Sequence, residues 1–165
     1  MSVQFCAVTT KDECKQISEF FTEIFSVTAK KYKKDDSYIS TCFKMKFFNF
    51  NKLYSFISAG YTLNTLKVNG TIVCASITNY TTGDMSFFAV KPLKNSADIG
   101  KAMLEALAIK CSTNSQVSKF SIIALDVFVR DYMRFGFVRR GEAKTKGNIL
   151  FEPMEYAFTQ SSLEK

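Results

Sequence analysis

The chain contains no histidine, and this absence limits the chemistry that its side chains can perform. Without an imidazole there is no Ser–His–Asp or Cys–His catalytic unit and no histidine-ligated metal. A general base must then be a carboxylate, a tyrosine, a cysteine, a lysine or an ordered water molecule. The five cysteines include no Cys-x-x-Cys pair, which argues against a zinc site and a disulfide framework. We therefore expect reduced thiols and no metal centre.

The length, hydropathy and charge describe one basic domain. The 165 residues and the mean hydropathy of −0.01 are typical of a single globular domain, which we place at residues 1–158, with a flexible tail at 159–165. No apolar run reaches the ~20 residues of a membrane span, and no signal-peptide pattern begins the chain. The formal net charge of +7 suits an anionic partner, such as nucleic acid or a phosphorylated cofactor. These features predict a cytoplasmic protein, with a nuclear location as the alternative, and no contact with membranes.

The first third of the chain predicts a strand and two helical segments. Residues 3–8 alternate as a strand, and Thr10 opens a helix-capping box before a helical apolar pattern over residues 11–26. Aromatic residues in the segment 37–59 are spaced by four, three and four positions. This spacing predicts one helical face that is broken near Asn49.

A basic run follows the first predicted helix, and it has two interpretations. One is a solvated loop or helix end, and the other is a contact for a phosphate or an acidic substrate. The sequence leaves both interpretations open. The run consists of Lys30, Lys31, Lys33 and Lys34.

The middle of the chain predicts successive strands followed by a crossover helix. The dipeptide Asn69-Gly70 suits the two positive φ angles of a type I′ turn, so the segment 63–79 predicts a β-hairpin. Residues 85–90 form the next apolar strand-like run. Residues 96–111 then carry apolar side chains at helical spacing.

The last third predicts a strand, a short helix and a hairpin. Residues 120–125 form an apolar strand, and Asp126 is placed to cap a helix that begins at Val127. The final hairpin combines residues 137–143 and 148–156. Together the elements predict an α/β fold of the α+β type, with a central, mostly antiparallel sheet flanked by helices.

Two motifs in the second half carry a resemblance to a known family. Residues 85–92 (MSFFAVKP) form a strand that ends in a Val-x-Pro turn, and the helical segment 99–104 follows it. A Tyr-x-x-x-Gly-Phe motif begins at Tyr132. This order resembles the GNAT superfamily of acyl-CoA-dependent N-acyltransferases, most strongly over residues 85–140. The resemblance implies the GNAT acyltransferase fold and acetyl-CoA as the co-substrate.

The resemblance also implies which residues bind the coenzyme. The main chain of the strand would pair with the thioester and the pantetheine arm, in the way that an added strand pairs with a sheet edge. The loop and the first helical turn after the strand would face the pyrophosphate, because a helix N-terminus favours anions. The implied set is Phe88, Ala89, Val90, Lys94, Asn95, Ser96, Ala97, Asp98, Ile99, Gly100, Lys101 and Ala102.

The general acid follows from the same resemblance, and the general base is proposed from its position in the sequence. Tyr132 occupies the general-acid position of the family, where a phenol can protonate the leaving thiolate. Asp84 lies immediately before the strand and is the candidate general base. The alternatives are Glu142, Glu155 and proton loss through water, and each of these carboxylates can equally be a solvated surface charge.

The chain departs from the family pattern at three positions. Our alignment places Asp98 where the pyrophosphate loop has a glycine, and a carboxylate ~4 Å from a phosphate costs about 4 kcal/mol at an effective dielectric near 20. Leu125 replaces an asparagine that the family often has seven residues before the tyrosine. Asp131 replaces the aromatic residue that often precedes the tyrosine.

Three functional hypotheses remain from the sequence. The leading hypothesis is an N-acetyltransferase that moves the acetyl group of acetyl-CoA to a primary amine on a small molecule or a protein. The first alternative is a GNAT-like domain that has lost catalysis and serves as a binding or interaction module. The second alternative is a nucleic-acid-binding protein, which the net charge and the lysine run suggest without any recognition motif. The oligomeric state is not encoded in these patterns.

Overall fold

The computed structural model describes residues 2–111 and 116–158, and within them one mixed sheet is flanked by helices. The strands are β1 (Val3–Val8), β2 (Thr62–Val68), β3 (Thr71–Thr78), β4 (Asp84–Val90), β5 (Lys119–Leu125), β6 (Val138–Arg139), β7 (Lys144–Lys146) and β8 (Ile149–Ala157). The helices are α1 (Lys11–Lys31), α2 (Asp36–Cys42), α3 (Phe50–Ser58), α4 (Ser96–Cys111) and α5 (Val129–Phe135). Short 3-10 turns precede α3 and α5, at Lys46–Phe48 and Asp126–Phe128.

This architecture confirms the predicted α/β fold with a mostly antiparallel sheet flanked by helices. None of the helices in the described ranges is long and apolar enough to cross a membrane. The single-domain boundary at residue 158 and the cytoplasmic location stay predictions. The predicted tail at 159–165 lies outside the described residues.

Helix α1 begins where the capping residues predict and ends later than the apolar spacing predicts. The Thr10 hydroxyl accepts the Glu13 N–H at 3.2 Å and donates to the Glu13 carboxylate at 2.9 Å, which confirms the cap. The predicted end at residue 26 is wrong, because the buried residues Thr28 and Ala29 continue the apolar face into the lysine run. The last turns of α1 therefore reach further along the sheet than expected.

The aromatic segment after α1 folds as three short pieces instead of one helical face. The helices α2 and α3 and the 3-10 turn between them replace the one helical face, broken near Asn49, that is predicted over 37–59. The predicted break at Asn49 is confirmed, because its side chain accepts two N–H groups of the next turn at 3.0 and 3.3 Å. Phe47 and Phe48 pack on Phe87 of β4, with ring centroids 4.3 and 5.8 Å apart. Packing of these rings against the sheet determines the path of the segment.

The strands form one sheet in the order β1-β2-β3-β4-β5-β8-β6, with β7 also paired to β8. All of these pairs are antiparallel except β4 and β5, which are parallel. The type I′ turn between β2 and β3 is supported by the positive φ angles of Asn69 (51°) and Gly70 (81°). The parallel pair needs a crossover connection, and α4 provides it.

The parallel pair at the centre of the sheet is short. Strands β4 and β5 are matched only at Asp84–Ser121 and Met85–Ile122, close to the start of each strand. Each strand then continues to its end without another matched pair between the two, although both are fully described. The strands therefore separate toward their carboxyl ends, and the sheet is open at its centre.

The start of α5 differs from the sequence prediction. Asp126 does not cap a helix, because a 3-10 turn intervenes and neither the turn nor α5 has a side-chain cap. The Asp126 carboxylate instead pairs with the Lys34 ammonium at 2.7 Å and accepts the Tyr38 hydroxyl at 2.5 Å. The prediction is wrong because two donors from the chain after α1 occupy the carboxylate that would otherwise serve the turn.

Candidate active site

A cleft of about 310 Å³ opens beside the carboxyl half of β4, where β5 has separated from it. Its walls come from the last turns of α1, the end of β4, the loop before α4, and α5. This volume falls at the lower end of the range of small-molecule sites. The lining residues are Val27, Thr28, Lys31, Phe88, Ala89, Val90, Pro92, Leu93, Lys94, Ser96, Phe128, Asp131, Tyr132, Arg134 and Phe135.

Main-chain groups of β4 face this cleft without a partner strand. The Lys91 N–H donates to the Val73 carbonyl of β3 at 2.8 Å, which makes these residues a hydrogen-bonded pair. Because antiparallel pairing alternates along a strand, the N–H and C=O groups of Phe88 and Val90 point away from β3. Pairing with β5 ends at Met85, so β5 does not reach them. The strand thus presents an edge to which an extended, amide-bearing ligand can add.

Tyr132 borders the cleft beside this edge. Its hydroxyl donates to the Phe88 carbonyl at 2.5 Å, and the residue is only 2% exposed. The ring stacks on Phe128 at 5.9 Å and packs against Phe137 at 5.6 Å. Burial raises the pKa of the Tyr132 phenol well above its usual range. The side chain is therefore a neutral proton donor held next to β4.

The N-terminus of α4 brings main-chain donors to the same region. The first helical hydrogen bond runs from the Ile99 N–H to the Asn95 carbonyl at 3.0 Å, and the preceding loop uses the Ser96 N–H. The N–H groups of Ala97 and Asp98 belong to the first turn and have no acceptor within the helix. Together with the helix dipole, such donors favour a bound anion.

Three cations and one carboxylate of the described residues line the cleft, namely Lys31, Lys94, Arg134 and Asp131. The Arg134 guanidinium donates to the Ser96 hydroxyl at 3.4 Å and lies 3.7 Å from the Asp131 carboxylate. Burial raises the pKa of Asp131, and the charges of Lys31 and Arg134 partly oppose this shift. The cleft keeps an excess of positive charge at the N-terminus of α4, which suits phosphate groups.

The structure brings part of the predicted coenzyme-binding set to the cleft. The members that line it are Phe88, Ala89, Val90, Lys94 and Ser96. The members that do not line it are Asn95, Ala97, Asp98, Ile99, Gly100, Lys101 and Ala102. The second group lies in the first turns of α4 and just before them, where main-chain donors rather than side chains are available to a ligand.

Gly100 allows close helix packing, and Asp98 is exposed. A Cβ atom on Gly100 would lie 2.5 Å from Cδ1 of Phe135, so α4 approaches α5 this closely only without a side chain there. The Asp98 side chain is exposed to solvent and does not line the cleft. Solvent exposure weakens the repulsion that contact with a diphosphate would cause.

The three candidate bases lie away from the cleft. Asp84 is at the opposite end of β4 from Val90, is exposed, and accepts a hydrogen bond from the Tyr61 hydroxyl. This bond, with burial and the charge of Asp84, raises the pKa of Tyr61 to about 12. Glu142 is exposed, and Glu155 forms two ion pairs on β8 at 3.1 and 3.5 Å. None of these carboxylates is brought next to the lining residues.

Sequence reasoning missed several cleft residues. The sequence did not distinguish whether Lys31 is a solvated residue or a contact for a phosphate or an acidic substrate. Its position in the cleft depends on the length of α1, which is greater than predicted. Asp131 and Arg134 share one face of α5, but only the contact between α5 and α4 places them beside the N-terminus of α4. Leu125 is a buried core residue at the end of β5, so the position of the family asparagine carries no polar group.

The comparisons with known proteins agree on one family of folds. The model of the acetyltransferase (GNAT) domain matches residues 26–158. The chain is similar to the PaiA N-acetyltransferase from Thermoplasma acidophilum in complex with coenzyme A, with 15% identity, a TM-score of 0.72, and coverage of 96% of this chain and 100% of that chain. No curated protein sequence matches the chain significantly.

Two further solved structures show the same similarity. One is a GCN5-related N-acetyltransferase from Rhodopseudomonas palustris, with 10% identity, a TM-score of 0.70, and coverage of 96% of this chain and 97% of that chain. The other is AAC(6′)-Ib in complex with ribostamycin and coenzyme A, with 14% identity, a TM-score of 0.60, and coverage of 100% and 97%. At these identities the structures establish a shared fold.

Proposed function

The chain belongs to the GNAT family of acetyltransferases, and we propose that it is an N-acetyltransferase. The acetyl group passes from acetyl-CoA to a primary amine on a small molecule or on a protein. One observation carries this function, namely the open edge of β4 at Phe88 and Val90 beside a cationic cleft. A strand edge for the pantetheine amides next to donors for phosphates is what an acyl-CoA requires.

The residues present fit the parts of coenzyme A. The main chain of Val90 offers a donor and an acceptor to a pantetheine amide. The N–H groups of Ala97 and Asp98 offer donors to the pyrophosphate, and Arg134 adds a charge at the same helix end. Lys94 extends the positive surface along the loop. These contacts compensate for a loop in which Asp98 replaces the first glycine of the family pattern.

The proposed reaction is a direct attack on the thioester. The amine nitrogen attacks the carbonyl carbon, the carbon–sulfur bond breaks, the amine loses a proton, and the departing sulfur gains one. The Phe88 N–H faces the cleft and is placed to donate to the carbonyl oxygen as negative charge develops there. Tyr132 supplies the proton to sulfur, for which its hydroxyl turns away from the Phe88 carbonyl.

The proton that the attacking amine loses also needs an acceptor. Asp84 lies four residues before Phe88, which is roughly 13 Å along an extended strand. That separation is too long for direct transfer from an amine held at Phe88, so Asp84 acts as a base only through water. The alternative route uses Asp131, the carboxylate that lines the cleft among the described residues.

A binding module without catalysis is the second candidate, and one observation favours it. The Tyr132 hydroxyl already has an acceptor in the Phe88 carbonyl, so the tyrosine can hold β4 in place without serving as an acid. The nucleic-acid hypothesis has less support, because the lysine run is divided. Lys31 lines the cleft and Lys34 pairs with Asp126, which leaves Lys30 and Lys33 exposed.

Substitution of Val90 tests the proposed function at the feature that carries it. Val90→Pro removes the free N–H of the β4 edge without breaking a hydrogen bond to β3. We expect acetyl-CoA at about a hundred times its dissociation constant to stabilise the wild type by about 2.7 kcal/mol, and to stabilise this variant much less. Val90→Ala shortens the side chain, keeps the N–H and serves as the control. Thermal unfolding with acetyl-CoA measures both.

Catalysis is tested separately by release of free thiol from acetyl-CoA with a panel of primary amines. Stabilisation with amine-dependent thiol release supports the transferase. Stabilisation without any release supports the binding module. If millimolar acetyl-CoA does not stabilise the wild type, the transferase is refuted and an interaction module that does not bind the coenzyme is favoured.

A further inference from the structure

A second constellation lies beside the cleft and holds a primary ammonium group. One oxygen of the Asp126 carboxylate accepts the Tyr38 hydroxyl at 2.5 Å, and the other pairs with the Lys34 ammonium at 2.7 Å. The Lys34 nitrogen is also 4.7 Å from the centroid of the Tyr38 ring. A carboxylate combined with an aromatic ring is a standard way for a protein to bind an amine.

This constellation adjoins the candidate active site on two sides. Lys31 lines the cleft as the last residue of α1, and Lys34 lies three residues after it. Phe128 also lines the cleft, and Asp126 begins the same 3-10 turn at the end of β5. The ion pair thus joins two walls of the cleft that are 92 positions apart in the chain.

A left-handed residue at the end of α1 places Lys34. Lys33 has a φ angle of 56°, in the left-handed region that favours glycine. The Lys34 N–H then closes the helix by donating to the Ala29 carbonyl at 3.0 Å. The Lys33 N–H also donates to the Lys30 carbonyl at 3.0 Å, so a left-handed residue closes the helix in the usual way. This closure sets the direction in which the chain leaves α1 toward Lys34.

The binding groups are more firmly held than the lysine. Tyr38 is 3% exposed, and its ring packs against Phe25 with centroids 6.3 Å apart. The side chain of Asp126 is 19% exposed, whereas that of Lys34 is 30% exposed. The carboxylate and the ring therefore form a prepared surface, and the long lysine side chain can leave it at a lower cost.

We infer that Asp126 and Tyr38 bind an ammonium group of the acceptor, and that Lys34 occupies this site as an internal competitor. The inference rests on the proposed function, because it assigns an acceptor to the same active site. A carboxylate stabilises the protonated form of an amine, so the group bound here is not the one that attacks the thioester. The acceptor class is consequently a molecule with at least two amino groups.

The local charge explains how a basic protein can accept such a molecule. With a formal net charge of +7, the chain repels polycations at long range. Asp126 supplies an attractive point next to the cleft, and Lys34 neutralises it when no acceptor is present. If the internal ion pair is formed about nine times in ten, the site is free about one time in ten, and removal of the lysine tightens binding about tenfold.

The test compares Lys34→Met with Lys30→Met, because both variants lose one lysine charge and Lys30 is exposed in α1. The ligand is 1,4-diaminobutane, titrated at constant ionic strength while the backbone amide signals of Asp126 and Val127 are followed by NMR. We expect Lys34→Met to bind about tenfold more tightly than the wild type and Lys30→Met to bind like it. Addition of Asp126→Asn to Lys34→Met should abolish the gain.

Unchanged or weaker diamine binding by Lys34→Met overturns the inference. Thermal unfolding confirms that each variant is folded, and Lys34→Gln replaces the methionine variant if that one is unstable. The titration needs no acetyl transfer, and stabilisation by acetyl-CoA is measured in a separate sample. A chain that binds acetyl-CoA but shows no effect of Lys34 refutes only the diamine site, whereas failure to bind acetyl-CoA refutes the proposed function.

Discussion

The hydrogen bond from Tyr132 to the Phe88 carbonyl can be removed by deleting a single oxygen atom. Tyr132→Phe keeps the ring contacts with Phe128 and Phe137 and leaves the carbonyl of a fully buried residue without this donor. An unsatisfied buried acceptor costs about 1–3 kcal/mol. For a domain of this length we expect the Tm of the free protein to fall by roughly 2–12 °C.

The same substitution has a larger expected effect on turnover. If Tyr132 protonates the leaving thiolate, its loss lowers kcat by about 10²- to 10⁴-fold. Because burial holds the pKa of this phenol above its usual value near 10, ionisation of Tyr132 does not lower the activity of the wild type below about pH 10. The structural and catalytic roles of the Tyr132 hydroxyl can therefore be measured separately, because loss of the first lowers Tm and loss of the second lowers kcat.

Differential scanning calorimetry measures the first effect, and thiol release from acetyl-CoA as a function of pH measures the second. Tyr156→Phe is the matched control, because the Tyr156 ring packs against Phe120 and Phe137 while its hydroxyl forms no hydrogen bond with the residues that the structure describes. A Tyr132→Phe variant with normal kcat and a lowered Tm would refute the general-acid role and retain the structural one. An unchanged Tm would refute the reasoning about the buried carbonyl.

Three further predictions concern the contact of α4 with α5 and the charges of the cleft. Gly100→Ala should destabilise the fold by about 1–3 kcal/mol in urea unfolding, because its Cβ overlaps the Phe135 ring, and Phe135→Leu in the same chain should recover part of the loss. Burial raises the pKa of Asp131 above 3.8, so the folded state binds the proton of this carboxyl group more tightly than the unfolded chain does. The free energy of unfolding therefore falls as pH rises from 3.8 through the raised pKa. Asp131→Asn should therefore flatten that part of the stability profile and be more stable than the wild type at pH 7, which urea titrations across this range will show. Arg134→Met should weaken acetyl-CoA binding about tenfold or more and reduce its salt dependence, whereas the exposed Arg130→Met should do neither in calorimetric titrations.

Features that act over a few residues could be read from the sequence. The Thr10 cap, the break at Asn49 and the turn at Asn69-Gly70 each depend on one or two side chains and their immediate neighbours. The Tyr-x-x-x-Gly-Phe motif located Tyr132 for the same reason. Local hydrogen bonds and backbone preferences are sufficient to specify such features.

Features that depend on packing between distant segments could not be read in this way. The extension of α1 that brings Lys31 to the cleft follows from burial of Thr28 and Ala29 against the rest of the fold. The diversion of Asp126 from a helix cap follows from donors that lie about ninety positions earlier in the chain. No local sequence pattern predicts either contact, because each depends on the packing of segments that are far apart in the chain.

The alignment of the pyrophosphate loop shows a third kind of limit. The sequence pattern placed Gly100 at a coenzyme contact, and the structure gives it a role in packing against Phe135. A glycine is required in both situations, since each needs close approach without a side chain. The glycine therefore indicated that another group comes close to position 100. It did not indicate whether that group is the coenzyme or the Phe135 ring.

The two matched pairs between β4 and β5 have a consequence for how the sheet behaves mechanically. On one side of this seam are the antiparallel ribbons β1 to β4, and on the other are β5 to β8. An extended molecule bound along Val90 would form the backbone hydrogen bonds that β5 does not form there, and would act as a temporary strand between the two halves of the sheet. Amide hydrogen exchange should then slow at Phe88 and Val90 on ligand addition. The continuous pairing of residues 62–66 in β2 with residues 74–78 in β3 is already present, so exchange there should change little.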